Sequence, residues 1–246
     1  MTSNRSKSGC SRAGRTRPAS EVALCASFIA WVQAHGDWTV YAETGGFDML
    51  LVAPDGAQLG LEAKLGFTAK VLEQALPRDC YEGAPGPDFR GVLLPKSPGA
   101  KGKDLLESLG LVLFYAIGQG RFHGPSLDDR RRWTDWAPDR RIELPAFVPD
   151  VAAGAPAPVR LTKSKIAALR LVALVEVRGY VVPQDFRDLD VDSRRWTNPA
   201  NGLLALDEAG RYVRGEKLIF DRQHPRVYAE IVAALRREFL QESLRH

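Results

Sequence analysis

The sequence predicts an α/β protein in which a mixed core is followed by a smaller, mainly helical domain. Three observations carry that reading. Short apolar runs at 38–43, 47–53, 58–65, 89–94 and 111–117 have strand character and are interleaved with segments whose apolar residues recur at helical spacing. The stretch 145–159, PAFVPDVAAGAPAPV, is rich in Ala, Pro and Gly and reads as a linker. Beyond it the patterning is mostly helical. The expected organisation is a basic tail at 1–19, a core domain at 20–144, the linker at 145–159 and a second domain at 160–246.

Residues 1–19 are rich in Ser, Arg, Thr and Gly, too polar to bury a core, and are expected to be disordered. Ser20 then has the character of an N-cap. Val22, Leu24, Cys25, Phe28, Ile29 and Val32 recur on one helical face up to Gly36. Pro54-Asp55-Gly56 separates the runs 47–53 and 58–65 with a preset φ, a turn-capping side chain and a residue free to take positive φ, so the two runs form an antiparallel hairpin about Asp55. A short helix is expected at 68–76, ended by Pro77. A strand at 89–94, a lysine-bearing loop at 95–103, a helix at 104–109 and the most hydrophobic strand, 111–117, follow. In the second domain helices are expected at 163–178, 183–189 and from Asp192, then a hairpin at 203–213 and a last helix at 225–244.

The hairpin carries the chemistry. If its pairing is symmetric about Asp55, Asp48 lies opposite Glu62, both seven positions from the turn, with Cβ atoms about 5 Å apart. Lys64, two beyond Glu62, points to the same side of the strand. Two facing carboxylates inside apolar strands call for a raised pKa or a bound cation. With no His or Cys at ligand spacing, the cation that fits is a hard divalent ion held by oxygen, Mg²⁺ or Mn²⁺.

An acid at the start of one strand followed by Glu-Xaa-Lys on the next, here Asp48 and Glu62-Ala63-Lys64, resembles the signature of the PD-(D/E)XK nuclease superfamily. The order helix, three-stranded meander, helix, strand over 20–117 resembles its restriction-endonuclease-like core. The resemblance implies metal ligation by Asp48, Glu62 and the carbonyl of Ala63, with Lys64 acting on the attacking water. It also implies a further acid, for which Glu21 on the first helix and Glu43 at the end of the first strand are candidates. Glu21 serves equally well as a first-turn acid complementing the helix dipole. Some branches of the superfamily place a Gln on the following helix, where this chain has Gln74; the Tyr that usually comes one turn later is Arg78 here. The implied activity is hydrolysis of phosphodiester bonds, with nucleic acid, DNA favoured, as the partner. The alternative is a nuclease-like fold without chemistry, serving as a DNA-binding regulator or assembly protein.

Composition is compatible with either. The net charge is +4, unevenly spread: residues 1–20 hold five Lys and Arg and no acid, residues 21–159 hold 13 basic against 18 acidic, and residues 160–246 hold 16 against 12. Basic flanks around an acidic middle suit a polyanion gripped at both ends with cations collected between, although a solvated tail and ordinary surface charge have the same signature. No apolar run approaches the roughly 20 residues needed to span a bilayer. No secretory leader is evident, and three scattered cysteines support neither a disulfide framework nor structural zinc, so a cytoplasmic location is expected. Oligomeric state is left open, a homodimer included.

Candidate backbone contacts are Lys70 and Arg78 near the second helix, Lys101 and Lys103 on the loop after the fourth strand, and Arg131 and Arg132 in the arginine- and tryptophan-rich stretch 118–141. The Trp133 and Trp136 rings in that stretch either stack on nucleic acid or pack the excursion onto the core. Arg194 and Arg195 lie on the third helix of the second domain. Three short helices followed by a basic-tipped hairpin resemble a winged helix, with that third helix in the recognition position and Asn198-Pro199 ending it early.

Overall fold

The computed structural model describes residues 18–77, 84–155, 161–218 and 224–243. The basic tail up to residue 17 and Arg78 lie outside them.

Ser20 caps α1 (Glu21–His35) as expected, its hydroxyl accepting from the Ala23 N–H at 3.1 Å. The helix buries Leu24, Cys25, Phe28 and Val32. β1 (Thr39–Thr44), β2 (Phe47–Val52) and β3 (Gln58–Ala63) form the meander. The β2–β3 pairing runs Met49 with Leu61, Leu50 with Gly60, Leu51 with Leu59 and Val52 with Gln58, symmetric about Asp55. The turn is closed by the Gly56 N–H on the Ala53 carbonyl and the Ala57 N–H on Asp55, both local bonds that Pro-Asp-Gly favours.

α2 (Ala69–Ala75) crosses over to β4 (Phe89–Leu94), which pairs parallel with β3; α3 (Ala100–Ser108) leads to β5 (Val112–Gly118), parallel to β4. A three-residue strand, β6 (Arg121–His123), pairs antiparallel with β5 and completes a six-stranded mixed sheet in the order β1-β2-β3-β4-β5-β6. α1 covers one face over Met49, Leu51, Leu59, Leu61, Ala63, Leu93, Phe114 and Phe122. α2 and α3 cover the other over Val92, with Val71, Ala75, Leu106 and Leu111 buried there.

Two expectations need correction. α3 begins at Ala100, not at residue 104, because Gly99 takes φ 82° and starts the helix; Lys101 and Lys103 therefore sit on its first turns and not on a flexible loop. The sheet also continues past residue 117 through β6.

The arginine- and tryptophan-rich excursion is tied down. Trp133 is buried against Phe89 and Trp38. Arg130 pairs with Asp55 at the hairpin turn at 2.6 Å while lying over the Trp38 ring. The side-chain amide of Gln58 exchanges two hydrogen bonds with the backbone of Ile142, standing in for a strand neighbour. For Trp133, the packing alternative is the one realised.

Beyond residue 160 come α4 (Lys163–Arg178), α5 (Pro183–Asp188), α6 (Ser193–Thr197), a 3₁₀ turn at Pro199–Asn201, the hairpin β7 (Leu204–Leu206) and β8 (Tyr212–Arg214), and α7 (Pro225–Ser243), which packs on α4. Val181 bridges Tyr212, adding a second, single-residue antiparallel pairing to the hairpin. The segment read as a linker is partly docked. Val151 and Ala153 pack into the core under α1, and Asp150 accepts from His224 at 2.9 Å and from the Arg226 N–H at 2.8 Å, at the start of α7. Among the described residues no helix is long and apolar enough to cross a membrane.

Candidate functional site

The site is assembled where β2 begins and β3 ends, next to the first turn of α1. Because the β2–β3 register is symmetric about Asp55, continuing it by one step sets Asp48 across from Glu62. Asp48 Oδ2 accepts from the Ala63 N–H at 2.8 Å, which locks the carboxylate over the end of β3. The Lys64 ammonium lies 3.3 Å from Asp48, 3.3 Å from Glu21 and 3.9 Å from Glu62, and donates to the Ala63 carbonyl at 2.8 Å. Backbone bonding of the Lys64 N–H to the Leu93 carbonyl keeps the chain in sheet register at this point. Glu62 is 2% exposed, a carboxylate held deep between strands, whereas Glu21 faces solvent at the rim.

Three carboxylates around one ammonium set the electrostatics. Burial alone would lower the Lys64 pKa, but Asp48, Glu21 and Glu62 outweigh it and raise it above the ordinary lysine value. The group is therefore a cation throughout the neutral range. Its ion-pair contribution to stability is complete below the ordinary lysine pKa and is lost only as pH rises through the higher folded value. Cys25, buried in α1 beside the site, has its thiol pushed up to about 12, first by burial and then by Asp48, Glu21 and Glu43.

Of the two further acids, Glu21 is the one drawn to Lys64. Glu43 sits at φ 51° and gives Oε1 to the Gly154 N–H at 2.8 Å, so it anchors the docked segment beside the site. Gly154 is pressed against α1: a Cβ there would meet Cys25 Sγ at 3.1 Å and Glu21 Cβ at 3.3 Å, at a φ of +73° that disfavours any side chain. Gly154→Ala is expected to cost about 1–3 kcal/mol in chemical denaturation and to raise the alkylation rate of Cys25 in a background without Cys10 and Cys80. An unchanged midpoint together with unchanged thiol protection would show that this packing is inconsequential.

The remaining candidates are dispersed. Gln74 lies on α2, which packs on β3 and β4, and its Oε1 is buried without a hydrogen-bond partner among the described residues. Lys70 and Lys101 are exposed on α2 and α3. Lys103 donates to the Tyr115 hydroxyl at 3.2 Å. Arg131 is held by Asp129 two residues away, and Arg132 is exposed. Arg194 and Arg195 are exposed on α6, far along the chain from the acidic centre. Tyr115 and His123 were not candidates on the sequence; the missing signal was β6, the strand that sets their rings side by side.

Among the described residues no three His, Cys, Asp or Glu side chains converge as a ready-made metal cage. The groups paired with Lys64 nevertheless all offer oxygen. Asp48 and Glu62 with the Ala63 carbonyl match the demand of Mg²⁺, which takes one or two carboxylates and completes its shell with water and substrate oxygens. Comparison with protein-family models, with curated proteins and with solved structures finds no match for this chain.

Proposed function

We propose that the protein is a divalent-metal-dependent nuclease hydrolysing phosphodiester bonds of DNA. The observation that carries this is the convergence of Asp48, Glu62 and Glu21 on Lys64 at the ends of two paired strands. Hydrolysis of a phosphodiester needs charge neutralisation at the phosphate and a water held in line with the leaving oxygen. Asp48 and Glu62 would hold Mg²⁺ or Mn²⁺ with the Ala63 carbonyl; when bound, the ion neutralises phosphate charge and acidifies a water. Lys64, fixed by its bond to that carbonyl, orients the water and faces the phosphate as a cation. Glu21 restrains the Lys64 ammonium from the solvent side.

The succession helix, meander, helix, strand and the Asp48, Glu62-Ala63-Lys64 pattern support a restriction-endonuclease-like core. The order α4, α5, α6, hairpin, α7, with the Val181–Tyr212 bridge, supports a winged-helix-like accessory domain. A second reading, a DNA-binding regulator without chemistry, is favoured by one observation: Lys64 already forms ion pairs with the carboxylates that would hold a metal. Incubation with plasmid, linear, branched and single-stranded DNA and with RNA, each in Mg²⁺, Mn²⁺ or EDTA, separates the two. Metal-dependent cleavage abolished by EDTA is expected; binding without cleavage in every metal would transfer the assignment to the regulator.

A further inference from the structure

β5 and β6 carry a feature that the acidic centre does not use. Ala63, Leu93, Phe114 and Phe122 pack against α1, so by strand alternation Glu62, Leu94, Tyr115 and His123 point to the opposite face. Leu94 pairs with Tyr115 and Tyr115 with His123, at the level where the Lys64 N–H bonds the neighbouring Leu93 carbonyl. The ring pair thus shares a sheet face with Glu62, two to three strands away, or about 10–15 Å at the usual strand spacing.

α2 and α3 leave the outer part of that face open. The Tyr115 and His123 rings lie 4.9 Å apart at 42°, and the Lys103 ammonium, from α3, is 5.0 Å from the Tyr115 ring centre. They border a cavity of about 410 Å³ that is also lined by Gly124, Arg132 and Thr134. Glu107 is the single carboxylate among its described lining residues. His123 and Arg132 are exposed, as is Arg121 at the start of β6, and Ile117 is 46% exposed on β5.

We infer that this open face of β5 and β6 is a binding surface for unpaired nucleotides, with bases stacking on Tyr115 and His123 and phosphates meeting Lys103, Arg132 and Arg121. Charge and shape together select that ligand. An aromatic pair on an extended sheet face, rimmed by cations, accepts a π-faced polyanion, and bases present free faces only where they are unpaired. A duplex reaches the cations but not the rings. The inference rests on the nucleic-acid reading above, though not on catalysis, and makes the substrate class one with single-stranded character.

The test is fluorescence anisotropy of the full chain in EDTA with a labelled mixed-sequence DNA oligonucleotide, its duplex form and the matching RNA. Loss of stacking in the double variant Tyr115→Leu with His123→Ala is expected to weaken single-strand binding about 5–150-fold and to leave duplex binding nearly unchanged. Tyr115→Phe, which keeps the ring, should bind like wild type, and His123→Ala alone, on an exposed edge strand, should show part of the loss. Binding is read in EDTA, where no metal-dependent cleavage contributes, so a failure of the nuclease reading leaves this result standing. The proposal is overturned if the double variant binds single strands like wild type, if duplex and single-strand binding fall together, or if wild type binds no single strand.

Discussion

Lys64→Ala is expected to reduce metal-dependent cleavage by about 10²–10⁴-fold while DNA binding in EDTA is retained. The Lys64 ammonium is placed against Asp48, Glu21, Glu62 and the Ala63 carbonyl, at 3.3, 3.3, 3.9 and 2.8 Å. Removing it deletes neither Asp48 nor Glu62, so a cation still finds its oxygen donors, and the site without the ammonium is more negative and attracts Mn²⁺ at least as well. What is lost is a positioned charge beside the attacking water. A single lost phosphate contact weakens binding modestly at moderate salt, and the difference between the two losses separates catalysis from affinity. Lys64→Arg serves as the control for charge: it keeps the cation but replaces a compact ammonium with a longer, planar guanidinium, so its turnover is expected to stay low. Single-turnover cleavage alongside calorimetric Mn²⁺ titration reads both quantities. Cleavage at the wild-type rate in Lys64→Ala would make the Glu-Xaa-Lys match accidental and move the protein to the regulator reading.

The central hairpin was legible because its signals are local. Pro54-Asp55-Gly56 sets the turn and the apolar runs on either side set the register, and those two facts bring Asp48, Glu62 and Lys64 together before any tertiary information. The Ser20 cap and the breaks at Gly36, Pro77 and Gly179 are equally local. What escaped is non-local or short. β6 has three residues behind Gly118 and Gly120, too few for alternation to register, yet it decides where His123 points. The start of α3 was hidden because Gly99 initiates a helix through a positive φ and not through a capping side chain. Glu43 is committed to the Gly154 N–H, 111 residues away, and no pattern around either residue announces that bond. Trp133 carried an ambiguity that only packing resolves: a tryptophan beside arginines reads alike whether it stacks on a ligand or, as here, on Phe89 and Trp38.

The docking of residues 150–154 gives the acidic centre a second layer. Asp150 is fastened to His224 and to the N-terminal backbone of α7, Ala153 is buried under α1, and Gly154 touches both Glu43 and the first turn of α1 that carries Glu21. The position of Glu21 relative to Lys64 is thus backed by a segment that is itself fastened to the start of α7. The stretch behaves as a spacer by composition and as a strap by contact.

Asp48→Asn is expected to lower metal-dependent cleavage by about 10²–10³-fold or more, several kcal/mol of lost Lewis-acid stabilisation, without unfolding the hairpin. The choice of Asn follows from the geometry. One carboxylate oxygen, Oδ2, is already engaged by the Ala63 N–H at 2.8 Å and by Lys64 at 3.3 Å, which leaves Oδ1 for a cation. In the variant the single amide oxygen is retained by the Ala63 N–H, because releasing it would leave a buried donor unmet at a cost of about 1–3 kcal/mol. The amide NH₂ then occupies the Oδ1 position and turns a donor toward any incoming ion. Asp48→Ala would instead orphan the Ala63 N–H and confound ligation with folding. Thermal melts of Asp48→Asn should lie close to wild type, Mn²⁺ titration should lose its high-affinity phase, and raising Mn²⁺ should restore only part of the rate. Retained metal affinity with full cleavage would place the cation elsewhere and remove Asp48 from the site.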